Sequence, residues 1–265
     1  MLKIDKVRAK QHAIFIVIDY LWGGFMALGI VFALCALWQI GSVNFGEFLI
    51  PAPLDVGKKA LEICSKFGEN GLEISLFRAL IGVSVSLIIG IGAGLIAGSY
   101  KSAMAFLSPL ITILLATPPI IWIVLAVFWF SFGNPSVLFT IIVIVAPLTF
   151  ASSAMAMASV EKAYEELFDA YKLGIFKKIR YLYIPHLLGR IISAISVAVA
   201  SGAKVLVMSE LLGANDGIGA KIADARAMLE ASEVLAYVCL IIIFVALFEY
   251  LISKPLQLIF MPWIR

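Results

Sequence analysis

The sequence predicts an all-α, polytopic membrane protein of about six transmembrane helices, and three observations lead there. The 265-residue chain is 63% hydrophobic and only 14% charged, with a mean hydropathy of +1.07. A water-soluble domain of this length cannot cover so much apolar surface. The apolar residues fall in runs of about 20, the length that crosses a bilayer core as a helix. Lysine and arginine are concentrated in alternate connections, as cytoplasmic loops require. Inside lipid the backbone must satisfy its own hydrogen bonds, so helices are expected rather than irregular chain.

The first expected span lies within Tyr20–Ile40 and the second runs from Arg78 to Tyr100. The third covers Ala105–Phe130 and is broken by Pro118-Pro119. The fourth covers Val137–Val160, with Pro147 inside it; the fifth Leu188–Leu212; the sixth Leu235–Lys254. With both termini in the cytoplasm, 13 of the 20 lysines and arginines fall inside and 5 outside. Residues 1–19 are then a cytoplasmic N-terminal segment. Residues 20–265 form the transmembrane domain, which carries a cytoplasmic loop at 161–187. The basic start followed by apolar Ala13–Ile40 is read as an uncleaved span. It is too long for the apolar stretch of a signal peptide and has no small-residue cleavage site.

Several function classes are excluded early. Cys35, Cys64 and Cys239 are scattered, and His12 and His186 lie far apart. No disulfide framework or metal site follows from that pattern. The nearest thing to a phosphate-binding loop, Gly213–Lys221, has Ala220 before the lysine and Ile222 after it. It lacks the phosphate cradle and the magnesium-binding hydroxyl, so the chain is not its own ATPase. No Ser-His-Asp or Cys-His arrangement stands out, and catalytic residues, cofactors and nucleic-acid partners are not expected.

The most informative stretch is the polar interruption at Tyr164–Pro185. Tyr164, Leu167, Phe168 and Tyr171 recur at helical spacing and share one face. Glu165, Glu166, Asp169 and Lys172 take the other, and Lys177, Lys178 and Arg180 follow. Such a helix either docks into a soluble partner or lies on the membrane surface. Its three acids disfavour an anionic lipid surface, which favours the protein partner.

Four further features carry chemistry. Gly90, Gly94 and Gly98 allow close helix contact, within the chain or at a dimer interface. Pro118-Pro119 either kinks the third span or, with Trp122, lines a transport path. Lys204 in the fifth span should face the bundle or a wet cavity, paired there or touching an anionic substrate. Glu210 lies at the outer end of that span, as an outer gate or a solvated end residue. Pro118, Pro119, Trp122, Lys204 and Glu210 are the candidate translocation path.

Glu166–Pro185 resembles the EAA loop of ATP-binding-cassette (ABC) importer permeases. Glu166 and Pro185 keep that loop's 19-residue separation, and Tyr183-Ile184-Pro185 forms its apolar-x-Pro ending. Leu167-Phe168 stand for the two alanines. Lys172 stands where the loop's glycine belongs, with Gly174 two residues later, so the helix is expected to run on by half a turn to Gly174. Ala116-Thr117-Pro118-Pro119 with Trp122, and Phe128 to Gly133, resemble the third span of nitrate, sulfonate, taurine and thiamine-precursor importer permeases. Ser209-Glu210-Leu211-Leu212-Gly213 with Gly217-Ile218-Gly219 resembles that branch's signature after the fifth span. The resemblance runs from Arg78 to the C-terminus.

The resemblance implies a type I ABC importer (MetI-like) permease fold in a prokaryotic inner membrane. It implies ATPase coupling through Tyr164, Glu166, Leu167, Phe168, Tyr171, Gly174 and Pro185. It also implies cytoplasmic ABC ATPase subunits carrying ATP and Mg, an extracytoplasmic substrate-binding protein and a second permease copy as a homodimer. Lipid surrounds the spans. The rival is a self-powered secondary transporter or channel, which would need internal repeats or mid-membrane carboxylates. A membrane-embedded enzyme would need a nucleophile, base or metal ligands within the spans.

Overall fold

The computed structural model describes residues 13–66 and 68–255, with side chains from residue 29 onward. Residues 1–12 of the expected cytoplasmic segment lie outside the described residues. The chain divides into two compact units, residues 1–58 and 59–265.

In the first unit, α1 (Ala13–Phe45) ends at Gly46, whose φ of 86° is left-handed and costs glycine nothing. The Trp38 indole N–H donates to the Pro51 carbonyl at 3.0 Å and ties the following turn back. Pro53 then opens α2 (Pro53–Ser65), where a missing N–H does no harm. The second unit begins within α2.

The second unit continues with α3 (Leu72–Ser99), α4 (Lys101–Ala116), α5 (Pro119–Phe130) and α6 (Asn134–Ala158). The short α7 (Lys162–Ala170) and α8 (Ile175–Lys178) follow, and a π-helical turn over Ile179–Tyr183 leads into α9 (Ile184–Gly213). The unit closes with α10 (Ile218–Ala227) and α11 (Ala231–Phe248), the latter extended by a π-helical turn over Glu249–Ser253. No strand occurs among the described residues.

Among the described residues, four helical stretches are long and apolar enough to cross a bilayer: Leu72–Ser99, Asn134–Ala158, Ile175–Gly213 and Ala231–Ser253. They coincide with the second, fourth, fifth and sixth expected spans. The third is the pair α4 and α5, which passes the same test only as two pieces bent by 95°. That bend is far beyond the kink a single proline imposes. Pro118 is extended (φ −57°, ψ 136°), and Pro119 starts a new helix instead of continuing the old one. Among the described residues there are thus four long spans, or five if the bent pair is one, and the first of the six expected spans lies partly outside them. For the first expected span, the stretch with described side chains is a shorter apolar helix, Gly29–Phe45.

α6 is the central element, packed against both α3 and α9, which also touch each other. Val83, Val137, Ile141, Val145, Ala198 and Leu206 form the buried apolar core between them. Without a hydrophobic drive inside lipid, helices associate through close packing and interhelical hydrogen bonds. Both occur here. A side chain at Gly94 would meet the Phe150 carbonyl oxygen at 2.6 Å and the Ser153 hydroxyl. Ser153 Oγ approaches the Gly90 carbonyl at 3.3 Å, and Thr149 Oγ1 approaches that of Ser86 at 3.3 Å. The glycine repeat therefore serves packing within the chain.

Candidate functional site

α7 has no buried residue and carries the four predicted apolar side chains along one face. Leu167 is 50% exposed and Tyr171 72%; Tyr164 is similarly open, Phe168 is half-buried and Glu166 is exposed. The helix is held by its acidic side. Tyr183 Oη donates to Glu165 Oε1 at 2.9 Å, and Lys178 Nζ pairs with Asp169 Oδ1 at 2.6 Å. Residues 165 and 169 are one turn apart, so both reach the returning chain of α8 and the turn after it. Two of the three acids expected on a free polar face are thus engaged, and the apolar face is the one presented outward.

The end of α7 corrects the expected run-on to Gly174. Leu173 N–H donates to Phe168 O at 3.0 Å and Lys172 N–H to Asp169 O at 2.9 Å. This is a Schellman motif, with Lys172 as the left-handed residue at φ 49°. The turn therefore falls at the position of the family's glycine, although lysine occupies it. Gly174 is extended (φ −62°, ψ 161°) and precedes α8. Pro185, exposed, lies in the first turn of α9. A left-handed non-glycine residue costs roughly 1–2 kcal/mol. Lys172→Gly is expected to slow amide exchange at Leu173 by several-fold, as measured by hydrogen exchange with mass spectrometry. Unchanged or faster exchange contradicts a strained cap.

At the opposite end of α3, α6 and α9 lies a buried polar cluster. Arg78 is 1% exposed and Glu210 is fully buried. Arg78 Nη1 donates to Glu210 Oε1 at 2.9 Å and to the Asp216 carbonyl at 3.1 Å. Its Nη2 donates to Asp216 Oδ1 at 2.6 Å and its Nε to Asn134 Oδ1 at 2.6 Å. Glu210 Oε2 accepts from Ser75 Oγ at 2.7 Å and from Gly219 N–H at 3.1 Å. Ser75 Oγ in turn accepts from Ile218 N–H at 2.8 Å. The Arg78 and Glu210 charges are paired and both Glu210 oxygens accept hydrogen bonds, as burial of an ion pair requires.

The cluster explains the glycines around it. Gly217 has φ 92°, and a side chain there would strike the Glu210 carboxylate, with Oε2 at 2.6 Å. Gly133 N–H donates to the Gly213 carbonyl at 3.0 Å. The two stretches that suggested a permease branch, Phe128–Gly133 and Ser209–Gly219, thus meet in space. Glu210 is not a solvated end residue.

The other predicted residues do not converge on it. Pro118 and Pro119 are exposed at the α4–α5 break. Trp122, a turn further on, has a buried indole N–H without a hydrogen-bond partner among the described residues. Lys204 projects from α9 between buried Ala203 and Val205, exposed and with no carboxylate in pairing distance among the described residues. It is not buried within its own chain. The described residues contain no group of His, Cys, Asp and Glu that could hold a metal ion.

A family model described as binding-protein-dependent transport system inner membrane component matches residues 87–264, well over half of the chain. The chain belongs to this family. It is the transmembrane permease subunit of an ATP-driven importer, and a multi-pass membrane protein. The permease is 26% identical over 235 residues to the taurine transport system permease protein TauC of Escherichia coli (strain K12), covering 85% of this chain and 84% of that one. It is 27% identical over 201 residues to the nitrate import permease protein NrtB of Synechococcus elongatus, covering 72% of each. A chain of the inward-facing MetNI methionine ABC transporter superposes with a TM-score of 0.62, covering 71% of the permease and 93% of that chain. At 17% identity this shows a shared fold.

Sequence reasoning missed Arg78 and Ser75 as partners of Glu210, and Asn134 and Asp216 as further partners of Arg78. A signal was present. Arg78 and Glu210 are opposite charges at the ends of two apolar runs, and unpaired charges there are costly enough to demand a partner.

Proposed function

We propose that α7 is where a separate cytoplasmic ATPase grips this permease. The observation that carries the reading is the outward apolar face of Tyr164, Leu167 and Tyr171, on a helix tethered by Glu165 and Asp169. An exposed apolar face rimmed by charge suits a groove on a protein partner. ATP and Mg belong to that partner, and this chain binds neither. Two copies of the permease each contribute one α7 and together enclose the path. ATP-driven approach of the ATPases draws the two α7 helices together and opens the path outward, and hydrolysis resets it. Each ligand shifts the balance only by binding one state better than the other.

In this reading both termini are cytoplasmic, in a prokaryotic inner membrane. The connections at the Arg78–Glu210 end receive a substrate-binding protein. Lys204, exposed on its own chain, faces the path between the copies, with Trp122 and the Pro118-Pro119 break beside it. A cation suits a small molecule with an anionic group, and relatives named for taurine and nitrate transport support that class. Glu210 shapes the outer end of the path through its pairing with Arg78. Replacing Glu166 and Phe168 by Ala is expected to abolish ATP-dependent uptake without unfolding the spans, as read by the helical content of the purified chain. Unchanged uptake contradicts the reading.

A further inference from the structure

The geometry points to a second binding site on this permease: a groove that takes an anionic phospholipid of the bilayer, beside α7. The groove has a volume of about 470 Å³ and lies between the end of α3 and the start of α9. Ile96, Ile184, Leu187 and Leu188 line it, together with Tyr100 just after α3 and Tyr183 just before α9. An apolar trough with aromatic side chains at one end matches an acyl chain lying below the interfacial layer.

The charges at that end supply the preference for an anion. Lys101 follows Tyr100 directly, and Arg180 follows Ile179, another lining residue. Both are exposed, and among the described residues neither has a carboxylate within pairing distance. Two acids of the neighbouring α7 are engaged within the loop, Asp169 with Lys178 and Glu165 with Tyr183. Arg180 sits 5.8 Å from the centre of the Tyr181 ring, which restrains its guanidinium. Basic residues flanking an apolar cleft between membrane helices bind anionic headgroups in preference to neutral ones. Tyr183 both lines the groove and donates to Glu165 of α7, so an occupant bears on the helix that the docking reading assigns to the ATPase. Lipid binding itself does not depend on that reading.

The test uses the full chain in nanodiscs of equal parts phosphatidylglycerol and phosphatidylcholine, analysed by native mass spectrometry. The wild type retains phosphatidylglycerol in preference, and the K101Q/R180Q variant loses that preference by about tenfold or more. Equal retention of the two lipids, or an unchanged preference in the variant, overturns the proposal. A second arm needs neither substitution. With Ile96 replaced by photoreactive p-benzoylphenylalanine, irradiation in the same nanodiscs labels phosphatidylglycerol. Labelling of phosphatidylcholine to the same extent, or of a peptide from this chain or a second copy, overturns it.

Discussion

Arg78→Ala is expected to destabilise the permease by about 3–5 kcal/mol, the usual cost of removing one partner from a buried pair. The carboxylate of Glu210 would remain fully buried with only the Ser75 hydroxyl and the Gly219 N–H as donors. The same substitution frees Asp216 and Asn134, which removes the link between α3, the start of α6 and the connection into α10. Glu210→Ala should cost less, because Arg78 keeps Asp216 as a counter-ion and Asp216 is half exposed. Replacing both residues by Met should recover a good part of the loss, since an apolar pair of similar volume needs no compensation. The thermal midpoint of the detergent-purified chain, followed by size-exclusion chromatography after heating, reads all three. An R78A effect within about 0.5 kcal/mol, the range of ordinary surface substitutions, contradicts the account of the cluster.

The second large effect concerns α7. Leu167→Asp places a charge at the centre of the exposed apolar face without touching either tether. Residues at the centre of an interface commonly contribute about 2 kcal/mol or more, so ATPase binding should fall by roughly thirtyfold. Uptake should fall with it, while the thermal midpoint stays that of the wild type because the site is exposed in the chain alone. Tyr171→Ala should act in the same direction with a smaller effect. Loss of thermal stability in place of binding would mean that Leu167 packs within the permease.

These two regions differ in how far the sequence revealed them. The apolar face of α7 was legible from the spacing of Tyr164, Leu167, Phe168 and Tyr171 alone, because helical periodicity is local. The spans at 72–99, 134–158 and 231–253 were legible because length and hydropathy are also local. The helix end at Tyr171 was not, since the sequence offered Gly174 as the stop and gave no sign that Lys172 would take a left-handed turn. The Schellman bonds from Lys172 and Leu173 permit the early stop, since the Phe168 and Asp169 carbonyls keep donors although the helix ends.

The Arg78–Glu210 cluster was hidden for a different reason. Arg78 and Glu210 are 132 residues apart in sequence, and only the packing of α3 and α9 beside α6 brings them together. The 95° bend between α4 and α5 was visible as a break at Pro118-Pro119 but not in its size. Proline dictates that a helix stops, whereas the direction of the next one follows from what it packs against. For α5 that is chiefly α6.

The central claim, that α7 is the grip of a separate ATPase, is tested most directly by gentle extraction of the tagged permease from its native membrane. Mass spectrometry then identifies the proteins that accompany it. The account predicts a stoichiometric P-loop ATPase with the wild type and its loss with Leu167→Asp. A permease that purifies alone yet moves solute into liposomes, or an ATPase retained in full by the variant, contradicts it.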